Sequence, residues 1–346
     1  VQWLDHTDVV ASPRQILKKQ IKALADAGMK AMVGTELEFV VYNNTYEQAF
    51  TKGYKDLTPS NQYNVDYSIL GGSRIEPLLR AIRLGMTGAG MNVESVKGEC
   101  NFGQHEIAFK YSDALNACDN HVIYKNGAKE IAAATGYALT FMAKPNQKEG
   151  NSSHIHLSFR GLKDEMVMAD DKDKEHGLSD VGRSFIAGQI KHLRELSLLF
   201  APNINSYKRY VPGSFAPTAI RWGRDNRTCA LRLVGHGQSL RLENRVPGGD
   251  VNPYLAVAGI IAAGLDGVKN NLKLEPAYTT NAYDSDSPRV PATMLEAQTL
   301  WAGSAWVKEV FGSEVQAHYA NMAQVELDAY GKAVTDWELF RNFERF

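Results

Sequence analysis

An α+β fold with a mainly antiparallel sheet is what the sequence predicts. Strand-like and helix-like segments are interspersed without a βαβα rhythm, and most strand candidates pair as hairpins. No internal repeat or Gly/Ser linker divides the 346 residues, a length that buries a large core in one or two domains.

Ser12-Pro13 opens the first helix, Leu17, Ile21, Leu24 and Ala25 form its apolar stripe, and Gly28 stops it. The run Ala31–Tyr42 (AMVGTELEFVVY) reads as a strand, and residues 43–63, polar and aromatic without a period, read as a surface loop. Helix 73–88 carries Ile75, Leu78, Leu79 and Ile82 and leads through Gly88 and Gly90 into strand-like Met91–Val96 and His105–Tyr111. Ser112-Asp113 caps a long helix ending at Gly136, followed by strands Tyr137–Ala143 and His154–Phe159. Residues 160–178 form a charged loop, most simply a solvated surface. Helix 179–200 precedes strand-like pieces at 217–222, 228–234 and 240–246. Asn252-Pro253 starts an Ala/Gly-rich helix to about Gly267, apolar nearly all round and therefore buried. The remaining third is helical and ends in the aromatic-rich WELFRNFERF.

A net charge of −1 leaves no footprint for nucleic acid. No apolar run reaches the length of a membrane span, and no signal peptide is visible. Cys100, Cys118 and Cys229, odd in number and far apart, suit free thiols in a reducing compartment, so a cytoplasmic protein is expected.

Glu36 and Glu38 stand two apart in an apolar strand, so both carboxylates share one face. Burying two anions without partners is prohibitive. An isolated ExE is most simply a solvated edge. Here, however, Glu94, Glu99 and Glu106 follow in VESVKGECNFGQHEIAF, His154-Ile155-His156 repeats the i, i+2 geometry, and Glu243 lies in SLRLENRV with Arg241 and Arg245 on its face. Carboxylate oxygens with one or two imidazoles favour Mg²⁺ or Mn²⁺ over zinc. Lys208, Arg209, Arg221, Arg224, Arg227, Arg232, Arg241 and Arg245 fall within 38 residues, and Arg232, Arg241 and Arg245 alternate with leucines and a valine. Guanidinium groups facing a carboxylate–metal cluster describe phosphoryl transfer. Neither GxxxxGK[ST] nor GxGxxG occurs, so a nucleotide would not sit on a P-loop.

Seven segments, GTELEF, GECNFGQHEI, FMAKP with GNSSHIHLS, NSYKRYVPGS, NRTCALR, RLENR and VNPYLA, resemble in order the catalytic domain of glutamine synthetase and its relatives that γ-glutamylate amines. The resemblance implies a curved, mainly antiparallel sheet wrapped by helices (the glutamine synthetase/guanido kinase-like fold) across residues 1–346, and an ATP-dependent carbon–nitrogen ligase. It implies Glu38, Glu99 and Glu106 around one Mg²⁺ or Mn²⁺, with Glu36, His154 and Glu243 around a second that bridges the ATP phosphates. It further implies Arg209 on the substrate α-carboxylate, Arg227 on the transferred phosphoryl group and Arg245 at the γ-carboxylate. Arg232 and Arg241 would meet ATP phosphates, and His156 and Ser158 the nucleotide. Family members form stacked homo-oligomeric rings in which a neighbour's N-terminal β-grasp domain completes each site. That domain has no counterpart here and would precede Val1.

Two departures accompany the resemblance. KEGNSSH is one residue shorter than the usual stretch before the histidines, with Gly150 and Asn151 as replacements for an Asn-Gly pair. Phe215 stands where glutamine synthetases carry the glutamate that helps deprotonate ammonium. The expectation is therefore a γ-glutamyl ligase using an organic amine. Ordinary glutamine synthetase is the alternative, followed by a non-catalytic glutamate- or nucleotide-binding relative and a metallohydrolase. A phosphoryl-transfer enzyme explains the arginine row, which a hydrolase does not.

Overall fold

A computed structural model describes residues 1–346. Its strands are β1 (Met29–Tyr42), β2 (Val93–Gly98), β3 (Gln104–Phe109), β4 (Ser112–Asp113), β5 (Ala138–Thr140), β6 (Ser153–Gly161), β7 (Ala219–Arg224), β8 (Cys229–Val234) and β9 (Arg241–Asn244). They form one nine-stranded sheet in the order β2-β3-β1-β6-β9-β8-β7, with β4 and β5 also paired to β1. Every pairing is antiparallel except β7 with β8. No helix is long and apolar enough to cross a membrane, and all three cysteines are free.

The two-residue period divides β1 and β6 between core and site. Leu37 and Phe39 enter a core with Ile107, Leu78, Leu79 and Ile82, while Ile155, Leu157 and Phe159 join the larger core. Each buried side chain of this kind stabilises by roughly 1.5–3 kcal/mol. Glu36, Glu38, His154 and His156 are the alternate residues, facing the other way. Cross-strand register lines them up: Lys97 opposite Glu106, Glu106 opposite Glu38, Glu36 opposite His154, His156 opposite Glu243, and Glu243 opposite Arg232.

Helices α1 (Pro13–Asp26), α2 (Tyr46–Thr51), α3 (Ile69–Arg74), α4 (Glu76–Gly88), α5 (Ala114–Ala134), α6 (Asp180–His192), α7 (Ser197–Phe200), α8 (Ile204–Tyr207), α9 (Pro253–Lys269), α10 (Met294–Gly303), α11 (Ala305–Phe311), α12 (Ser313–Gly331) and α13 (Asp336–Asn342) complete the chain. As expected from its composition, α9 is buried nearly all round. It approaches α6 so closely that a Cβ on Gly267 would lie 2.0 Å from the Ser184 carbonyl.

Several predicted boundaries differ. The loop at 43–63 contains α2, started by a reciprocal Thr45–Gln48 capping box. Predicted helix 73–88 is two helices, broken at Ile75, because Pro77 has no N–H to bond back to the preceding turn and fits only in the first turn of a new helix. Predicted helix 179–200 also divides, and Ser197 Oγ bonds back to the Leu193 carbonyl at 2.8 Å across the break. Predicted strand 137–143 shortens to β5 because Asn151 Nδ2 takes the Thr140 and Met142 carbonyls (3.2 and 2.9 Å).

Candidate active site

On β1, β6 and β9, Glu36, His154 and Glu243 bring ligand atoms within 4.8 Å of one another. His154 Nδ1 lies 3.2 Å from Glu243 Oε1 and 3.6 Å from Glu36 Oε2, and Glu36 Oε1 lies 3.1 Å from His156 Nε2. Burial, then the Arg245 charge, pushes His154 down to about 4, so its imidazole is neutral and keeps a lone pair for a cation. Glu243 is buried, which opposes its ionisation, but neighbouring cations bring it below the usual carboxylate range. Arg245 Nη1 donates to its Oε1 at 2.5 Å and Arg232 Nη1 to its Oε2 at 3.0 Å.

Beside it, Glu38, Glu99 and Glu106 also bring oxygens within 4.8 Å. Glu38 Oε2 accepts from the Ser152 amide (2.6 Å) and Gln104 Nε2 (3.2 Å). The cation nearest to Glu99 and Glu106 is Lys97, whose Nζ lies 2.6 Å from Glu106 Oε1 and 3.8 Å from Glu99 Oε1. Burial and the charges of Glu38 and Glu106 push Glu99 up to about 9. Burial and Glu36 push Glu106 up to about 7. Carboxylates that raise one another in this way are short of positive charge, and hard oxygen ligands at this spacing fit a Mg²⁺- or Mn²⁺-type ion.

Both clusters open into space. A pocket of about 170 Å³ is lined by all six predicted ligands together with Arg209, Arg227, Arg232, Arg245 and Phe215. A cleft of about 410 Å³ adjoins it across Glu36 and contains His156, Ser158 and Arg241. The predicted residues thus divide between two compartments sharing one carboxylate. Arg232 belongs to the acidic pocket rather than to the cleft with Arg241, because Glu243 and Asp225 hold its guanidinium there. Arg241 Nε instead donates to His156 Nδ1 at 3.2 Å.

Arg209 is buried and donates to the Val246 carbonyl, while its Nε and that of Arg245 have no partner. Arg227 is exposed at the pocket. Phe215 lines the same pocket, 57% exposed, with φ +59°, a conformation uncommon for an aromatic residue. Glu94 lies in the cleft and not with the acidic clusters. Gly150 reaches the pocket, whereas Asn151 is spent on the carbonyls that end β5. Sequence reading missed Lys97, Gln104 and Asp66. The i, i+2 spacing of Lys97 and Glu99 was a signal for the first, but the contact itself depends on β2–β3 register.

Two carboxylate clusters, one of them with an imidazole, walled by guanidinium groups form a pair of candidate cation sites, an arrangement suited to phosphoryl transfer onto a carboxylate. Residues 10–342 match the family described as "Glutamine synthetase, catalytic domain". The chain belongs to the glutamine synthetase family. It is 62% identical over 343 residues to gamma-glutamylethanolamide synthetase GlnA4 of Streptomyces coelicolor, covering 99% of this chain and 73% of that protein. It is 36% identical over 347 residues to glutamate–isopropylamine ligase of a Pseudomonas species, covering 99% and 75%. A solved GmaS/ADP complex superimposes with a TM-score of 0.89 at 27% identity, over 98% of this chain and 79% of that one.

Proposed function

We propose that this protein is an ATP-dependent ligase that joins the γ-carboxylate of glutamate to a small organic amine, with ethanolamine-like primary amines as the substrate class. Phe215 carries the reading: it lines the acidic pocket where the family resemblance places a proton-accepting glutamate. A phenyl ring accepts no proton, but it packs against methylenes, each worth about 0.8 kcal/mol when buried. The 62% identity to a gamma-glutamylethanolamide synthetase supports the same choice, whereas ordinary glutamine synthetase needs an anionic socket for ammonium at this position.

Glu38, Glu99 and Glu106 would hold one divalent ion, and Glu36, His154 and Glu243 the other. Bound ions would supply charge neutralisation for the phosphates and the transferred group. His156, Ser158 and Arg241 line the cleft that would take the nucleotide, while Arg209 and Arg245, which line the acidic pocket, would receive glutamate. Arg227 faces the transferred phosphoryl group. Glutamate takes up the γ-phosphoryl group of ATP and ADP is released. The amine, having lost one proton, forms the N–C bond as the C–O bond to phosphate breaks, and inorganic phosphate and the second proton leave. A stacked-ring homo-oligomer in the cytoplasm completes the proposal, supported by the family resemblance and by the three unpaired thiols.

ADP release measured with ATP, glutamate and a panel of ammonium, ethylamine, ethanolamine, putrescine and spermine tests it. The highest kcat/KM is expected for a short organic amine, and the highest value for ammonium would restore plain glutamine synthetase.

A further inference from the structure

The mouth of the acidic pocket carries a carboxylate to which neither the metal nor the glutamate reading gives a task. Asp66 lines the pocket, and its oxygen lies within 4.8 Å of a Glu99 oxygen and Cys100 Sγ. Unlike Glu106 and Glu243, it makes no ion pair: Lys97 is taken by Glu106, and Arg232 and Arg245 by Glu243.

The turn bearing Asp66 is built rather than loose. Val65 is fully buried, a Cβ on Gly98 would lie 2.4 Å from its carbonyl, and one on Gly71 would lie 2.6 Å from its Cγ1. Asp66 N donates to Asn64 Oδ1 (2.8 Å) and Tyr67 N to the Gly98 carbonyl (3.1 Å). Tyr67 sits at φ +54° beside it and also lines the pocket. The pocket is therefore bipolar. On one side the pocket is lined by the guanidinium-bearing Arg209, 2% exposed, and Arg245. At the mouth stand a carboxylate without a cation and the rings of Tyr67 and Phe215.

We propose that Asp66 receives the ammonium group of the acceptor amine, with Tyr67 and Phe215 walling its carbon chain. The assignment rests on the ligase function proposed above and adds the group that favours a charged nucleophile. A primary alkylamine arrives protonated at neutral pH, so a carboxylate at the mouth raises its local concentration and orients it. An uncharged nucleophile gains nothing from that carboxylate.

The test compares ethanolamine with hydroxylamine, which is uncharged near neutral pH, in wild type, Asp66→Asn and Asp66→Glu. For Asp66→Asn, kcat/KM for ethanolamine is expected to fall about 10- to 100-fold. γ-Glutamyl hydroxamate formation should change less than about 3-fold, within the range of a surface substitution. Glutamate KM and Mn²⁺ affinity, the latter read by calorimetry, should hold, and Asp66→Glu should recover much of the ethanolamine rate. Equal loss with both nucleophiles, no loss with either, or weakened Mn²⁺ binding would overturn the Asp66 assignment while leaving the ligase intact. A wild type that makes neither product would overturn the ligase reading and this assignment with it.

Discussion

The two carboxylate clusters sit on neighbouring strands, yet they are balanced in opposite ways. Glu243 is held by Arg232 and Arg245, and His154 stands between it and Glu36. Glu38, Glu99 and Glu106 have three carboxylates gathered near one ammonium, that of Lys97. The first cluster is preorganised by the chain's own cations. The second is assembled by strand register and stays electrostatically unfinished until a cation arrives. One sheet thus presents two candidate cation sites of opposite balance side by side, and both line the pocket containing Phe215.

The sharpest way to break this comparison is Glu38→Ala. Loss of one carboxylate from the unfinished cluster should lower ATP-dependent phosphate release by more than about 10²-fold, with an unchanged circular dichroism spectrum. Full turnover would remove Glu38 from the site. Arg227→Ala comes next: kcat should drop about 10²-fold with little change in glutamate KM, because its partner charge develops only during transfer. Arg209→Ala should instead raise glutamate KM, and steady-state kinetics showing the reverse pattern would exchange the two roles.

A smaller effect separates the clusters by pH. In the folded, metal-free chain burial and neighbouring carboxylates put Glu99 at about 9 and Glu106 at about 7, against roughly 4.3 for an unfolded glutamate. At these two groups the folded state then binds more protons than the unfolded state between those values, so their contribution to metal-free stability is greatest at the acid end of the window and falls as pH rises through it. Buried His154, held neutral, contributes in the opposite sense. Thermal unfolding in chelator should show the Tm of the wild type minus that of Glu99→Gln falling by about 3 °C or more from pH 6 to pH 9, with Mn²⁺ flattening the dependence. A difference that rises over this range would contradict the charge deficit. The smallest expected change is in Phe215→Glu, where the ratio of ammonium to ethanolamine kcat/KM should rise about 3- to 10-fold as a proton acceptor returns to the pocket.

Much of this site was legible because β-strands alternate faces. Glu36 with Glu38, and His154 with His156, could be assigned to one surface from spacing alone, since Leu37, Phe39 and Ile155 needed the other. The contacts that balance the clusters were not legible. Lys97 meets Glu106 only through β2–β3 register, and the shift between Val93 and Ser95 puts the strand out of simple phase. The parallel β7–β8 pair, where hairpins were expected, joins Ala219 to Cys229 and Arg224 to Leu233, a shorter connection than the crossover parallel strands usually need. Helix breaks at Ile75 and after His192 escaped notice because the apolar period runs on through them, whereas Pro77 and Ser197 act on the backbone.

Direct competition tests the central claim about the acceptor. ATP, glutamate and equal concentrations of ethanolamine and ammonium are incubated with the protein, and both products are quantified by mass spectrometry. γ-Glutamylethanolamide in large excess over glutamine is the predicted result, and glutamine as the major product would contradict it.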